Sequence, residues 1–84
     1  MEMEELLTRV KNALRMDDYQ DDVVKELIQQ VKDDMIDMGV KANVVNDSIS
    51  VGAITKGVWD LDNLHEYSND FEKRVIRLRE KSEV

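Results

Sequence analysis

Val24, Leu27, Ile28, Val31, Met35 and Met38 fall at offsets 0, 3, 4, 7, 11 and 14. Only a helix of about 3.6 residues per turn gathers all six on one side; a strand would scatter them over both faces. The signals at either end agree with the stripe. Asp21 reads as an N-cap, with Asp22 just inside, where a side-chain oxygen satisfies an otherwise unpaired amide. Gly39 follows the last periodic residue and can take the left-handed conformation that closes a helix, which returns Val40 toward Met35. Nothing elsewhere forces such a rod to break, because the chain has no proline and only three glycines, Gly39, Gly52 and Gly57. That scarcity argues against an all-β fold with many tight turns. The expectation is an all-α bundle of four helices over about 2–15, 22–38, 48–61 and 69–81, with an irregular loop over 39–47.

The other three helices carry weaker versions of the same signal. Met3, Leu6, Leu7, Val10, Ala13 and Leu14 share a face, and Glu2, Glu4 and Glu5 lie near the positive end of that helix dipole. The pattern breaks at Asp17-Asp18-Tyr19-Gln20. Val51, Ile54, Val58 and Leu61 define a third stripe that starts near Asp47 or Ser48. Gly52 and Gly57 weaken it by roughly 1 kcal/mol each relative to alanine, a cost usually accepted where another helix comes close. After a linker containing Asp62, Asn63, Leu64, His65 and Glu66, Ser68 is a suitable N-cap for a last helix with Phe71, Val75 and Leu78 at offsets 0, 4 and 7. In the loop, Val44 and Val45 can tuck against the bundle. Their β-branching, with Ile49 and Val51 nearby, leaves a short strand open as the other reading.

Eighty-four residues suffice for one small domain, here 1–84. A chain this short buries only about 60–65% of the surface exposed when unfolded, so its core is thin and a partner can complete it. Nineteen acidic against twelve basic residues leave a net charge of −7. The imbalance is uneven: net −6 over residues 1–47, −3 over 48–70 and +2 over 71–84. A chain this acidic repels a phosphate backbone, which argues against sequence-reading nucleic-acid binding. No apolar run exceeds three residues, so neither a membrane span nor a signal peptide is expected, and the composition is of cytosolic type. Without cysteine there is no disulfide framework and no thiolate ligand or nucleophile.

No residue set announces a reaction. His65 is the only histidine and lies in a polar linker, with adjacent Glu66 poorly placed to orient it. Asp17, Asp18, Asp21 and Asp22 invite a cation, yet an EF-hand counted from Asp17 puts Asp22 at the glycine position and Ile28 at the glutamate position. Counted from Asp60, His65 and Phe71 fall there. The three glycines are scattered and form no phosphate loop. The expectation is therefore no enzyme activity, no cofactor and no metal. Trp59, beside the Ile54/Val58 face, is either core or a partner anchor. The basic last helix is either a solvated face or a docking surface through Arg74, Arg77, Arg79 and Lys81.

The order of short motifs resembles the head–tail connector (head completion, or adaptor) proteins of tailed bacteriophages. In the first half the similarity lies in Leu14-Arg15-Met16-Asp17-Asp18, Asp21-Asp22, Leu27-Ile28 and Met38-Gly39-Val40. In the second it lies in Thr55-Lys56-Gly57-Val58-Trp59-Asp60-Leu61-Asp62-Asn63, then Tyr67-Ser68, Phe71, Arg74-Val75-Ile76 and Leu78. It spans about residues 3 to 78. Family members often place tryptophan immediately before the linker asparagine, where this chain has Asp62 and carries its tryptophan at Trp59.

The resemblance implies a helical structural protein of the virion neck, assembled as a ring beneath the portal protein and presenting a surface for neck/stopper or tail-completion proteins. The ring would follow the portal's twelve-fold symmetry, the isolated protein being a ring or a monomer. DNA would pass through its lumen without sequence-specific binding. The implied location is the virion, with the host cytoplasm as the place of assembly. Interface residues expected on this reading are Trp59, Tyr67, Arg74, Arg77, Arg79 and Lys81. A different class, a small acidic regulator acting as a DNA mimic or antitoxin-like binder, also fits the acidic first half but not the basic final helix.

Overall fold

In the computed structural model, which describes residues 1–82, the chain forms α1 (Met3–Leu14), α2 (Asp21–Asp37), a single turn α3 (Ala42–Val45), a 3-10 turn (Ser48–Ser50), α4 (Val51–Leu64) and α5 (Asn69–Ser82). There is no strand among the described residues, and the four long helices fall where apolar periodicity places them. α4 is the central element and packs against α1, α2 and α5. Gly57 makes this possible: a Cβ there would stand 2.7 Å from both Val31 Cγ1 and Phe71 Cε1. The missing side chain lets α2 and α5 close on α4 from two sides.

Every long helix contributes its stripe to one core. Leu6, Leu7 and Val10 come from α1, Val24, Ile28, Val31 and Met35 from α2, Ala53, Ile54 and Val58 from α4, and Phe71, Val75 and Leu78 from α5. Met16, Val40 and Val45, from the connections, complete it. Apart from Ala53, each such side chain contributes about 1.5–3 kcal/mol on burial, before the cost of ordering the chain.

The helix ends explain how those connecting residues get inside. At the end of α2, Gly39 takes φ 101°, with Gly39 N donating to Ile36 O and Val40 N to Met35 O, both at 3.0 Å. This is the expected glycine closure, and it returns Val40 to the core. α1 closes in the same way on a residue with a side chain. Arg15 adopts φ 55° and Met16 N donates to Lys11 O at 2.9 Å, which buries Met16.

Three expectations need correction. Asp21 is the first residue of α2 and not its cap; Gln20 holds the cap position, because the Asp21 carboxylate is drawn to Lys11 Nζ at 2.8 Å. The 39–47 segment is not irregular throughout: Ala42–Val45 form a helical turn, and Asp47 accepts from Ile49 N at 3.0 Å to start the 3-10 turn. Val45 is buried and Val44 half-buried, so both valines tuck in, as helix and not as strand. The third long helix begins as that 3-10 turn and runs on to Leu64. Asp62, Asn63 and Leu64 are thus helical, with Asn63 donating back to Trp59 O at 2.9 Å, and His65 at φ 59° ends the run. No helix among the described residues is long and apolar enough to cross a membrane.

Candidate functional site

Burying one face of α4 leaves another looking outward. Gly52, Thr55, Lys56 and Trp59, at i, i+3, i+4 and i+7, lie on the side opposite Ile54, Gly57, Val58 and Leu61. Ala13 and Leu14 from the end of α1 form one wall beside this stripe and Arg74 of α5 the other, enclosing an open trough of about 550 Å³. It continues past Gly52 and Arg74 into a second hollow rimmed by Ile49, Arg77 and Lys81. Gly52 keeps the passage low, since a Cβ there would approach Arg74 Nη1 to 3.2 Å.

Trp59 is 39% exposed, which places it on the surface and not in the core. Its ring is held from the side: Lys56 Nζ lies 4.3 Å from the ring centroid, a cation–π contact of about 0.5–1 kcal/mol. On its other flank Trp59 borders a hollow shared with Arg15, Tyr19 and Asp62, where Tyr19 Oη donates to Asp62 Oδ2 at 2.5 Å. That hydrogen bond raises the Tyr19 phenol above its ordinary range and ties the α1–α2 connection to α4.

The foundation of the site is a residue that sequence reasoning passed over. Asp60 is completely buried. Its Oδ2 accepts from Ser68 N at 3.0 Å and from Ser68 Oγ at 2.7 Å, and its Oδ1 faces Lys56 Nζ at 3.2 Å without an aligned hydrogen bond. Burial pushes this carboxyl up, but the Ser68 hydrogen bonds and the Lys56 ammonium outweigh it and hold Asp60 below the usual carboxylate range. Ser68 Oγ in turn accepts from Phe71 N at 3.3 Å, as expected of an N-cap. One carboxylate thus locks the start of α5 to the last turns of α4 and anchors the lysine beside Trp59. The only sequence signal was an acid eight residues before a helix-capping serine, which has no local periodicity to reveal it.

The six expected interface residues separate into two groups. Trp59, Arg74, Arg77 and Lys81 line one continuous surface. Arg74 pairs with Asp70 at 3.2 Å; Arg77 and Lys81 make no ion pair among the described residues. The other two have work inside the fold. Tyr67 stacks on Phe71 (centroids 4.2 Å apart, planes at 17°) and donates to Asp34. Burial, then the Asp34 hydrogen bond and charge, raise its phenol well above the ordinary range. Arg79 Nη1 donates to Met38 O at 3.2 Å and covers Gly39, so it serves the end of α2.

Chemically, this surface offers an apolar floor, an aromatic face and cations, the features of a contact surface for a protein bearing apolar and acidic groups. Among the described residues no three His, Cys, Asp or Glu side chains converge as a metal site, and His65 is exposed at the end of α4. Compared with known proteins, the chain matches no family model, no curated sequence and no solved structure.

Proposed function

We propose that this chain is a structural subunit of a tailed-bacteriophage neck, a head–tail connector that docks beneath the portal and carries neck/stopper or tail-completion proteins. The observation that carries the reading is the trough: a largely apolar hollow beside exposed Trp59, walled on one side by Arg74 and continuing into the hollow rimmed by Arg77 and Lys81, on a molecule of net charge −7. Such a surface suits burial against an acidic neighbour better than life in solvent. The ordered motifs from Leu14-Arg15 to Leu78 support the same reading through their resemblance to the connector family. The acidic body suits a ring that DNA traverses, because phosphate neutralisation is what makes a protein grip nucleic acid. The reading assigns no reaction and no cofactor, and places the protein in the virion neck after assembly in the host cytoplasm.

Co-sedimentation with portal-bearing heads tests it. The wild-type protein is expected to travel with the particles, and the double reversal Arg77→Glu/Lys81→Glu to stay behind. Unimpaired binding by that variant would discard the trough as an assembly surface, whether it meets the portal or a neighbouring subunit. A wild-type protein that ignores the heads and instead binds a host or phage enzyme would replace the connector with the acidic-regulator reading.

A further inference from the structure

α2 carries a second outward stripe that neither the core nor the trough uses. Asp22, Glu26, Gln29, Asp33, Ile36 and Asp37 stand at offsets 0, 4, 7, 11, 14 and 15, and all are exposed. At helical spacing they occupy an arc of about 100°, opposite the buried Val24, Ile28, Val31 and Met35. Four carboxylates and the 45%-exposed Ile36 make this an acidic ridge with an apolar contact point. No cation interrupts it: Lys25 lies to one side, engaged with Glu4 at 2.7 Å, and Lys32 lies on the same side.

The ridge and the trough complement each other in charge and in apolar content. They also point in opposite directions. α2 and α4 meet inner face to inner face where Val31 closes on Gly57, so their outward stripes lie on opposite sides of the molecule. We infer that the occupant of the trough is the α2 ridge of a second copy of this chain, with Ile36 directed to the Trp59 floor and the carboxylates to Arg77 and Lys81. A two-fold dimer of trough on trough would instead set Arg77 and Lys81 against their own copies, a like-charge contact. Two different patches on opposite sides make a heterologous contact, which repeats head to tail and closes into a ring when the rotation allows. The inference rests on the trough being an assembly surface, as proposed above, but not on what particle the assembly joins.

The test uses one variant with a damaged trough, Arg77→Glu/Lys81→Glu, and one with a damaged ridge, Glu26→Lys/Asp37→Lys. None of these four side chains makes an ion pair among the described residues, so both variants are expected to keep the wild-type circular dichroism. Sedimentation velocity is followed from about 10 μM to about 1 mM, the range of weak contacts. The wild type is expected to form species larger than a dimer, and each variant alone to remain monomeric. An equimolar mixture should associate again, since an intact trough meets an intact ridge and the two reversed patches are of opposite sign, with a blue shift of Trp59 emission in the mixture only. Should a reversed variant lose helicity, Arg77→Gln/Lys81→Gln with Glu26→Gln/Asp37→Asn takes its place, with weakened association alone and pairing on mixing. A wild type that stays monomeric throughout, a mixture that fails to pair, or a single variant that associates like the wild type would overturn the inference. If the wild type is monomeric in solution yet sediments with portal-bearing heads, the head-to-tail contact falls and the connector reading stands. Self-association without binding to heads gives the reverse.

Discussion

At the scale of single residues, the most consequential side chain is Asp60. A buried carboxylate is tolerated only when its oxygens are served by donors or charge, and here Ser68 and Lys56 supply both. Replacing Asp60 by alanine is expected to cost about 3 kcal/mol, the low end for breaking a buried pair, because Lys56 can turn to water. Asparagine, which keeps an acceptor but no charge, should cost about 1–2 kcal/mol. Urea denaturation at neutral pH measures both. The pH dependence has a definite sign. The folded-state value of Asp60 lies below the unfolded one of about 3.9, so its contribution is fully present above that value and fades as pH falls through the folded value. Wild type should therefore lose stability on acidification below about pH 4 more steeply than Asp60→Asn. Parallel acid limbs in the two proteins would show that the Asp60 charge contributes nothing to the fold.

At the scale of elements, α4 decides the architecture, and Gly57 decides how closely its neighbours approach. Alanine would gain roughly 1 kcal/mol of helix propensity there. The added Cβ, however, would press on Val31 and Phe71 at 2.7 Å, and overpacking of that kind costs typically 1–3 kcal/mol. The prediction is a net loss of up to about 2 kcal/mol for Gly57→Ala, read from the denaturation midpoint. A gain in stability would mean that α2 and α5 can move apart freely. The close approach at Gly57 was legible in the sequence because a glycine inside an amphipathic helix carries a propensity cost that needs a reason. The α2 stripe and its Gly39 ending were legible because both are local patterns. Met16 was harder: it enters the core through the left-handed ending of α1 at Arg15, so no periodicity marks it. Asp21 misled because an acid at a helix start reads as a cap, and only the fold brings Lys11 alongside it. The trough was half legible. Trp59, Arg74, Arg77 and Lys81 could be singled out by type, but Tyr67 and Arg79 have the same chemistry and are occupied by Asp34 and by the end of α2.

At the scale of the whole molecule, the shape is a slab of 39 × 26 × 18 Å. Its short dimension is close to two helix diameters of about 10 Å each, as expected of two layers. The basic-rimmed trough and the acidic ridge face away from each other. A thin core and two complementary sides suit a part that gains burial from its neighbours. The proposed role is that of a building block in a collar on the portal. Electron microscopy of purified portal mixed with excess protein decides it. An added ring of density on the portal, with copies following the portal's symmetry, is expected; bare portals at saturating protein would rule the role out.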